Sequence, residues 1–339
     1  MRINAHRLHE SLRQLARIGA TPGGGVTRLA LSSEDRSARD LLRRWMEEAG
    51  LRVRIDDFGN ITGRRAGSES GKAVLMASHI DTVRRGGCYD GAYGVLAGLE
   101  VMRTLNDAGV TTRHPLELVN WTNEEGVRFE PAMLASGAVA GRFTPEYVYG
   151  RTDRDGATFG DELERIGYKG DRDHRPGPVA AYLELHVEQG PVLEDAGIPV
   201  GVVDGIVGIT WSEIIIEGRA DHAGPSPMPL RRDALVAAAR MIAGVDEIAR
   251  AVEGAVGTVG RIAAEPNVIN TIPGKVTMSV DLRHPDSATL DRLVAGLERL
   301  ASDVTALTGV TIAVNRLMDI AISLTSLMTG ALALDAGQI

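Results

Sequence analysis

Apolar positions recur at helical spacing over residues 4–18, where Leu8, Leu12, Leu15 and Ile18 form one stripe, predicting an amphipathic helix. A second helix is predicted over Ser37–Ala49, opened by Ser33 and Arg36, with Ala38, Leu41, Leu42, Trp45 and Met46 on one face; Gly50 stops it. The period then changes. Leu51–Asp57 alternates apolar and charged residues as a half-buried strand does, Gly59-Asn60 turns the chain, and a second strand ends before the polar loop 67–72. Ala73–Ala77 and Leu116–Trp121 are short continuous apolar runs, as buried strands are, and Gly94, Val95, Leu96, Gly98 and Leu99 between them have helical spacing. Residues 131–178 read as an irregular connection with short helical pieces, and Ala180–Gly190 as a third strand-like run.

From Trp211 the order is different. Trp211–Glu217 alternates as a strand, 218–229 is a loop, and Asp233–Ala251 is an Ala-rich helix. Gly257–Ala263 and Val276–Arg283 read as strands, Ser287–Leu307 as a helix and Thr311–Asn315 as a last strand. This β-α-β-β-α-β order is that of a ferredoxin-like split βαβ module. The expectation is therefore an α/β first domain, residues 1–209 plus 317–339, with a second α+β domain, 210–316, inserted into it.

Strand ends feeding loops are where α/β proteins place their chemistry. The first apolar run ends in Ser78-His79-Ile80-Asp81, and Asp90 follows a Gly-rich loop. His79 and Asp90 are metal-ligand types, and Asp81 stands where a carboxylate would orient the His79 ring from behind. The second run ends in Glu124-Glu125, a repulsive pair unless a positive charge lies beside it. In the third run Glu184, His186 and Glu188 fall at period two, on one face, too costly to bury without a metal or counter-charge. By contrast His6, His9, His114 and His174 read as solvated surface, and His284 also lies in polar surroundings.

The 339 residues suffice for two domains, and the net charge of −8 leaves no basic stripe for nucleic acid. A single cysteine, Cys88, excludes an internal disulfide framework and fits a reducing compartment. With no apolar signal segment at the start and no uncharged run long enough to span a bilayer, the expected location is cytoplasmic.

Taken together, the stretches GGGVTRLALSSEDRSAR, GNITGR, SHIDTVRRGGCYDGAYGVLAGLE, TNEEGVRF, ELHVEQGPVLE, DHAGPSPMPLRRDAL and NVINTIPGKVTMSVDLRH resemble the amidase (hydantoinase/carbamoylase) branch of the aminoacylase/carboxypeptidase family of dinuclear metallohydrolases. The resemblance implies a dinuclear-zinc-peptidase-like catalytic domain with a ferredoxin-like lid and dimerisation domain. It implies two divalent ions (Zn, Mn, Co or Ni) bridged by Asp90, one completed by His79 and His186, the other taking Glu125. Asp81 would orient His79, and Glu124 would be the general base for metal-activated water. His222, from the lid, would polarise the substrate carbonyl in the partner subunit of a homodimer. Asn270 and Arg283 would bind the substrate carboxylate, and Gln189 the ureido group. The implied substrate is a small ureido acid, an N-carbamoyl-L-amino acid or an allantoate-like acid, cleaved at a carbon–nitrogen bond.

The sequence departs from that pattern at its end. The family supplies one more histidine to the second ion from a Gly-Ala-Gly-His-Asp-Ala segment, whereas here Leu334 precedes Asp335-Ala336 and the last histidine is His284. One ion held by His79, Asp90 and His186 would then remain, three ligands and water being a workable zinc site. The alternative expectation is a shortened, non-catalytic homologue acting as a metal-binding or dimerisation protein.

Overall fold

The computed structural model describes residues 1–320 and 323–332. They divide into two compact units. One is Met1–Val203, joined by the strand that returns at Leu327; the other is Asp204–Ser326. The sequence expectation set the corresponding boundaries at 210 and 316.

The first unit opens with α1 (Ala5–Ala16) and α2 (Ser33–Glu48), followed by strands β1 (Arg52–Ile55), β2 (Ile61–Arg65) and β3 (Val74–His79). Next come α3 (Ala92–Asp107), β4 (Leu116–Trp121), three short helices α4 (Leu134–Val139), α5 (Pro145–Tyr149) and α6 (Phe159–Arg165), then β5 (Ala181–Leu183) and α7 (Val192–Asp195). Helix α2 starts earlier than its apolar periodicity suggests. The Ser32 side chain accepts the Asp35 N–H and caps it, so its polar first turn is invisible to a hydrophobic pattern.

The sheet runs β1-β2-β4-β3-β5, with β3 parallel to both β4 and β5. Leu12 and Leu15 of α1, Leu42 and Met46 of α2, and Leu96 and Leu99 of α3 pack with Ile61 and Leu118 in one core. Leu75, Ala77, Val119 and Trp121 form a smaller cluster. Register matters most here: Ser78 pairs with Asn120 and His79 with Trp121, so β3 and β4 end side by side and their loops emerge together. The connection read as irregular contributes to the core instead, burying Leu134, Val148, Phe159 and Leu163. The third strand-like run is also corrected. Only Ala181–Leu183 is strand, and Glu184, His186 and Glu188 lie in loop, so no shared strand face holds them.

Strand β6 (Val200–Ile206) leads into the second unit. There follow β7 (Gly208–Glu217), β8 (Asp221–His222), α8 (Ala234–Arg250), β9 (Val256–Thr258), β10 (Ile262–Glu265), β11 (Thr271–Ile272), β12 (Lys275–His284), α9 (Ser287–Thr308), β13 (Thr311–Ile320) and β14 (Ser323–Leu332), the last pairing with β6. The sheet order β10-β12-β7-β13 is antiparallel throughout, the arrangement of a split βαβ sandwich. Ile214, Ile216, Met278 and Val280 alternate inward and meet Ala237, Met241, Leu293 and Leu297 of the two helices. The strand expected over Gly257–Ala263 is two, β9 and β10, each paired to a different stretch of β12. The segment around Leu334–Ala336, where the resemblance looks for a further histidine, lies outside the described residues.

Candidate metal centre

At the joint end of β3 and β4, His79, Asp90 and His186 bring one ligand atom each to within 4.8 Å of one another. His79 is buried, and its Nδ1 lies 2.9 Å from the backbone carbonyl of Asp81, which fixes the proton on Nδ1 and frees Nε2. The Nδ1 of His186 faces the Val187 carbonyl at 2.8 Å to the same effect. Both Nε2 atoms face Asp90 Oδ1, at 3.9 Å for His79 and 3.3 Å for His186, and the rings stack at 5.8 Å. Gly91 makes this close approach possible. A Cβ there would stand 2.4 Å from the His79 ring, at a φ of +59° that disfavours side chains.

Asp81 acts differently from the expected orienting carboxylate. Its carboxylate is 3.9 Å from His79 Nδ1, beyond hydrogen-bond reach, and its main-chain carbonyl orients the ring instead. The carboxylate reaches across to the other loop. It accepts the Glu124 N–H at 3.2 Å and the Glu125 N–H at 3.3 Å, joining the two loops directly. Asn123 turns that second loop with a φ of +56°, and its side-chain amide donates to the Phe129 carbonyl at 2.7 Å. Glu124 Oε2 then sits 3.4 Å from His79 Nε2. Beneath the first loop the buried Arg28 donates to the Ile80 carbonyl at 2.6 Å.

The electrostatics around these groups would favour a cation. Burial by itself would lower the pKa of His79, but Glu124, Asp81 and Glu125 around it prevail and hold it up at about 9. Burial pushes Glu125 up to about 8, opposed by His79 and reinforced by Asp90 and Glu124. Burial raises Glu124 and Asp81 as well. Asp90 Oδ1 and Glu125 Oε1 are buried with no hydrogen-bond partner, a costly state that a cation relieves. Two imidazole lone pairs facing an unpartnered carboxylate oxygen fit a divalent ion of the zinc type.

Of the other expected residues, Gln189 Nε2 donates to Asp90 Oδ2 at 2.6 Å and so fixes that carboxylate. Glu188 stands apart, accepting the Val192 and Leu193 N–H groups at the start of α7. Glu184 accepts the Tyr182 hydroxyl at 2.6 Å and lies near enough to raise Glu124. His222, Asn270 and Arg283 belong to the second unit. Strand β8 pairs with β11, bringing His222 opposite Thr271, next to Asn270, a juxtaposition the loop reading missed because the paired stretch is only two residues long. His222 Nδ1 accepts the Gly224 N–H at 3.1 Å, which leaves Nε2 of the exposed ring to donate. Arg283 is paired with Asp281 at 2.8 Å. His174, read as solvated surface, is half-buried against the Ile55 carbonyl at 2.9 Å, and His284, read only as lying in polar surroundings, is buried between Glu253 and Asp286.

Residues 75–310 match peptidase family M20/M25/M40. The chain is 45% identical to an N-carbamoyl-L-amino-acid amidohydrolase of Rhizobium meliloti, over 91% of this chain and 75% of that protein. It is 35% identical to an allantoate amidohydrolase of Bacillus subtilis, over 90% of this chain and 75% of that one. A solved structure of a hydantoinase/carbamoylase family amidase from Burkholderia vietnamiensis matches with a TM-score of 0.90 at 46% identity, covering 95% of this chain and 78% of that chain. The chain belongs to the M20 family of α/β metal-dependent hydrolases. Within it the chain stands in the amidase branch, and it is an enzyme, a hydrolase of carbon–nitrogen bonds other than peptide bonds.

Proposed function

We propose that this chain hydrolyses the ureido carbon–nitrogen bond of an N-carbamoyl-L-amino acid or an allantoate-like acid. The observation that carries the reading is the unpartnered Asp90 Oδ1 between two imidazole Nε2 atoms, with the Glu124 carboxylate 3.4 Å from one of them. The names of the relatives supply the substrate class.

His79, Asp90 and His186 would hold one divalent ion, and Asp90 with Glu125 a second. Zinc, manganese, cobalt and nickel all accept this mixed carboxylate–imidazole set. When bound, the ions supply Lewis acidity for a carbonyl oxygen and lower the pKa of water towards about 7. Glu124 takes the proton of the attacking water as its oxygen joins the carbonyl carbon. It then returns the proton to the leaving nitrogen as the carbon–nitrogen bond breaks. Asp81 holds Glu124 and Glu125 in place through their backbone amides.

The second unit serves as lid and dimerisation domain in this reading. His222, donating from Nε2, polarises the carbonyl at the site of a partner subunit and steadies the developing oxyanion. Asn270 and Arg283 receive the substrate carboxylate, Arg283 exchanging Asp281 for a second planar carboxylate. Gln189 contacts the ureido group from its place on Asp90. The enzyme would work as a cytoplasmic homodimer. Among the described residues no helix is long and apolar enough to cross a membrane, which is compatible with that location.

The test is ammonia release from N-carbamoyl-L-amino acids and from allantoate by metal-loaded protein, with metal stoichiometry measured alongside. Glu124→Gln is expected to lower kcat by about 10²–10⁴-fold with its metal content kept. A variant as fast as the parent would exclude Glu124 as the base. A chain that binds metal yet releases ammonia from neither substrate class would favour the non-catalytic alternative.

A further inference from the structure

Arg39, on α2, is 0% exposed, and its guanidinium donates to Asp35, Gly59 and Thr122. Its Nε donates to Asp35 Oδ2 at 2.7 Å, an ion pair with no exposure on either side. Its other nitrogens each take a further acceptor. Nη1 donates to the Gly59 carbonyl at 2.7 Å and Nη2 to Thr122 Oγ1 at 3.2 Å. Thr122 is the first residue after β4, and its N–H is accepted by Asn60 Oδ1 at 2.9 Å. The residue that launches Asn123-Glu124-Glu125 is thus held both by its hydroxyl and by its amide. Stability alone does not require this arrangement, because well-packed apolar residues often replace a buried ion pair without loss. A planar guanidinium adds direction, since its fork fixes three acceptors relative to one another.

We propose that Arg39 is a positioning residue of the metal centre, acting through Thr122 to set the backbone from which Glu124 and Glu125 project. The inference rests on the proposed roles of those two carboxylates. Misplacing such groups by about 1 Å can cost on the order of 10²-fold in rate.

Two variants test it. Asp35→Asn combined with Arg39→Met removes both charges together, and the asparagine oxygen can still accept the Leu31 N–H that Asp35 takes at 2.8 Å. Thr122→Val removes only the hydroxyl. Hydrogen exchange is read on the metal-free chain. In both variants the Glu124 and Glu125 amides are expected to exchange about tenfold faster or more, with the amides of β4 as protected as in the parent. Arg175→Met is the control, since Arg175 pairs with Asp57 and donates to neither loop. It should leave those two amides unchanged.

The visible spectrum of the cobalt(II)-loaded protein gives a second readout, expected to shift in both variants and not in the control. Unchanged exchange at Glu124 and Glu125, or an increase spread evenly over the first unit, overturns the proposal. Should the double variant fail to fold, Thr122→Val alone decides it. A parent chain that binds no cobalt counts against the metal-centre reading, while the exchange result still decides the role of Arg39.

Discussion

At the scale of single residues, Asp81 is the most informative position. One residue serves two loops, its carbonyl orienting His79 and its carboxylate receiving the amides of Glu124 and Glu125. Asp81→Ala keeps the carbonyl and loses the carboxylate. It is therefore expected to lower kcat by about 10²-fold through displaced Glu124 and to loosen any ion that leans on Glu125, while the ion proposed for His79, Asp90 and His186 stays bound. Loss of that ion too, in step with activity, would instead restore the role read from the sequence, an orienting partner of His79. The sequence could show that His79 and Asp81 stand two apart at a strand end. Which part of Asp81 faces the imidazole depends on how the chain bends after Ile80, and residue spacing does not encode that.

At the scale of elements, Glu162 in α6 should make the first unit sensitive to acid. Its carboxylate receives Arg165 at 2.7 Å and Arg128 at 2.6 Å, and these arginines also reach the carbonyls of Leu31 and Ala30 just before α2. Hydrogen bonds from Arg165 foremost, opposed by burial and joined by Arg128, hold its pKa down at about 2. A carboxyl depressed in the folded state stabilises the fold above its unfolded pKa of about 4.3 and loses that contribution as pH falls towards the folded value. Glu162→Gln should thus melt below the parent at pH 7, with the gap narrowing as pH falls from about 5 to about 3. A gap independent of pH would mean that packing, not charge, is what the substitution removes. Elements with strong periodicity were legible beforehand: α1, the strands β3 and β4, and the helices α8 and α9. The elements that escaped or moved owe their form to other forces. The first turn of α2 is set by a serine cap, β8 by pairing with a distant two-residue partner, and the segment after Leu183 by Asp90 and α7 claiming its side chains.

At the scale of the whole molecule, the residues proposed to hold metal all lie in the first unit, and three of those proposed to hold substrate lie in the second. Metal should therefore stabilise the first unit selectively. At about 100 times its Kd, an ion that binds only the folded form adds about 2.7 kcal/mol. Calorimetry with and without metal is expected to move the transition of the first unit and leave that of Asp204–Ser326 in place. A single transition that shifts as a whole would show the two units unfolding as one. The identities of the ligand residues were legible because they sit at strand ends in short, unusual runs. The tautomers of His79, His186 and His222 were not, since each is set by a backbone group that only the folded chain brings near.

Among the described residues the chain passes between the units at Val203–Asp204 within β6 and at Ser326–Leu327 within β14, and these two strands are hydrogen-bonded neighbours. Both seams lie in one two-stranded ribbon, so a segment cut at these points leaves and re-enters through a single doorway. That makes residues 204–326 a natural cassette for recombination. Grafting the corresponding stretch of an allantoate amidohydrolase would need two splice points on adjacent strands and would carry the proposed substrate residues His222, Asn270 and Arg283 as one block, leaving Gln189 and the proposed metal ligands in place.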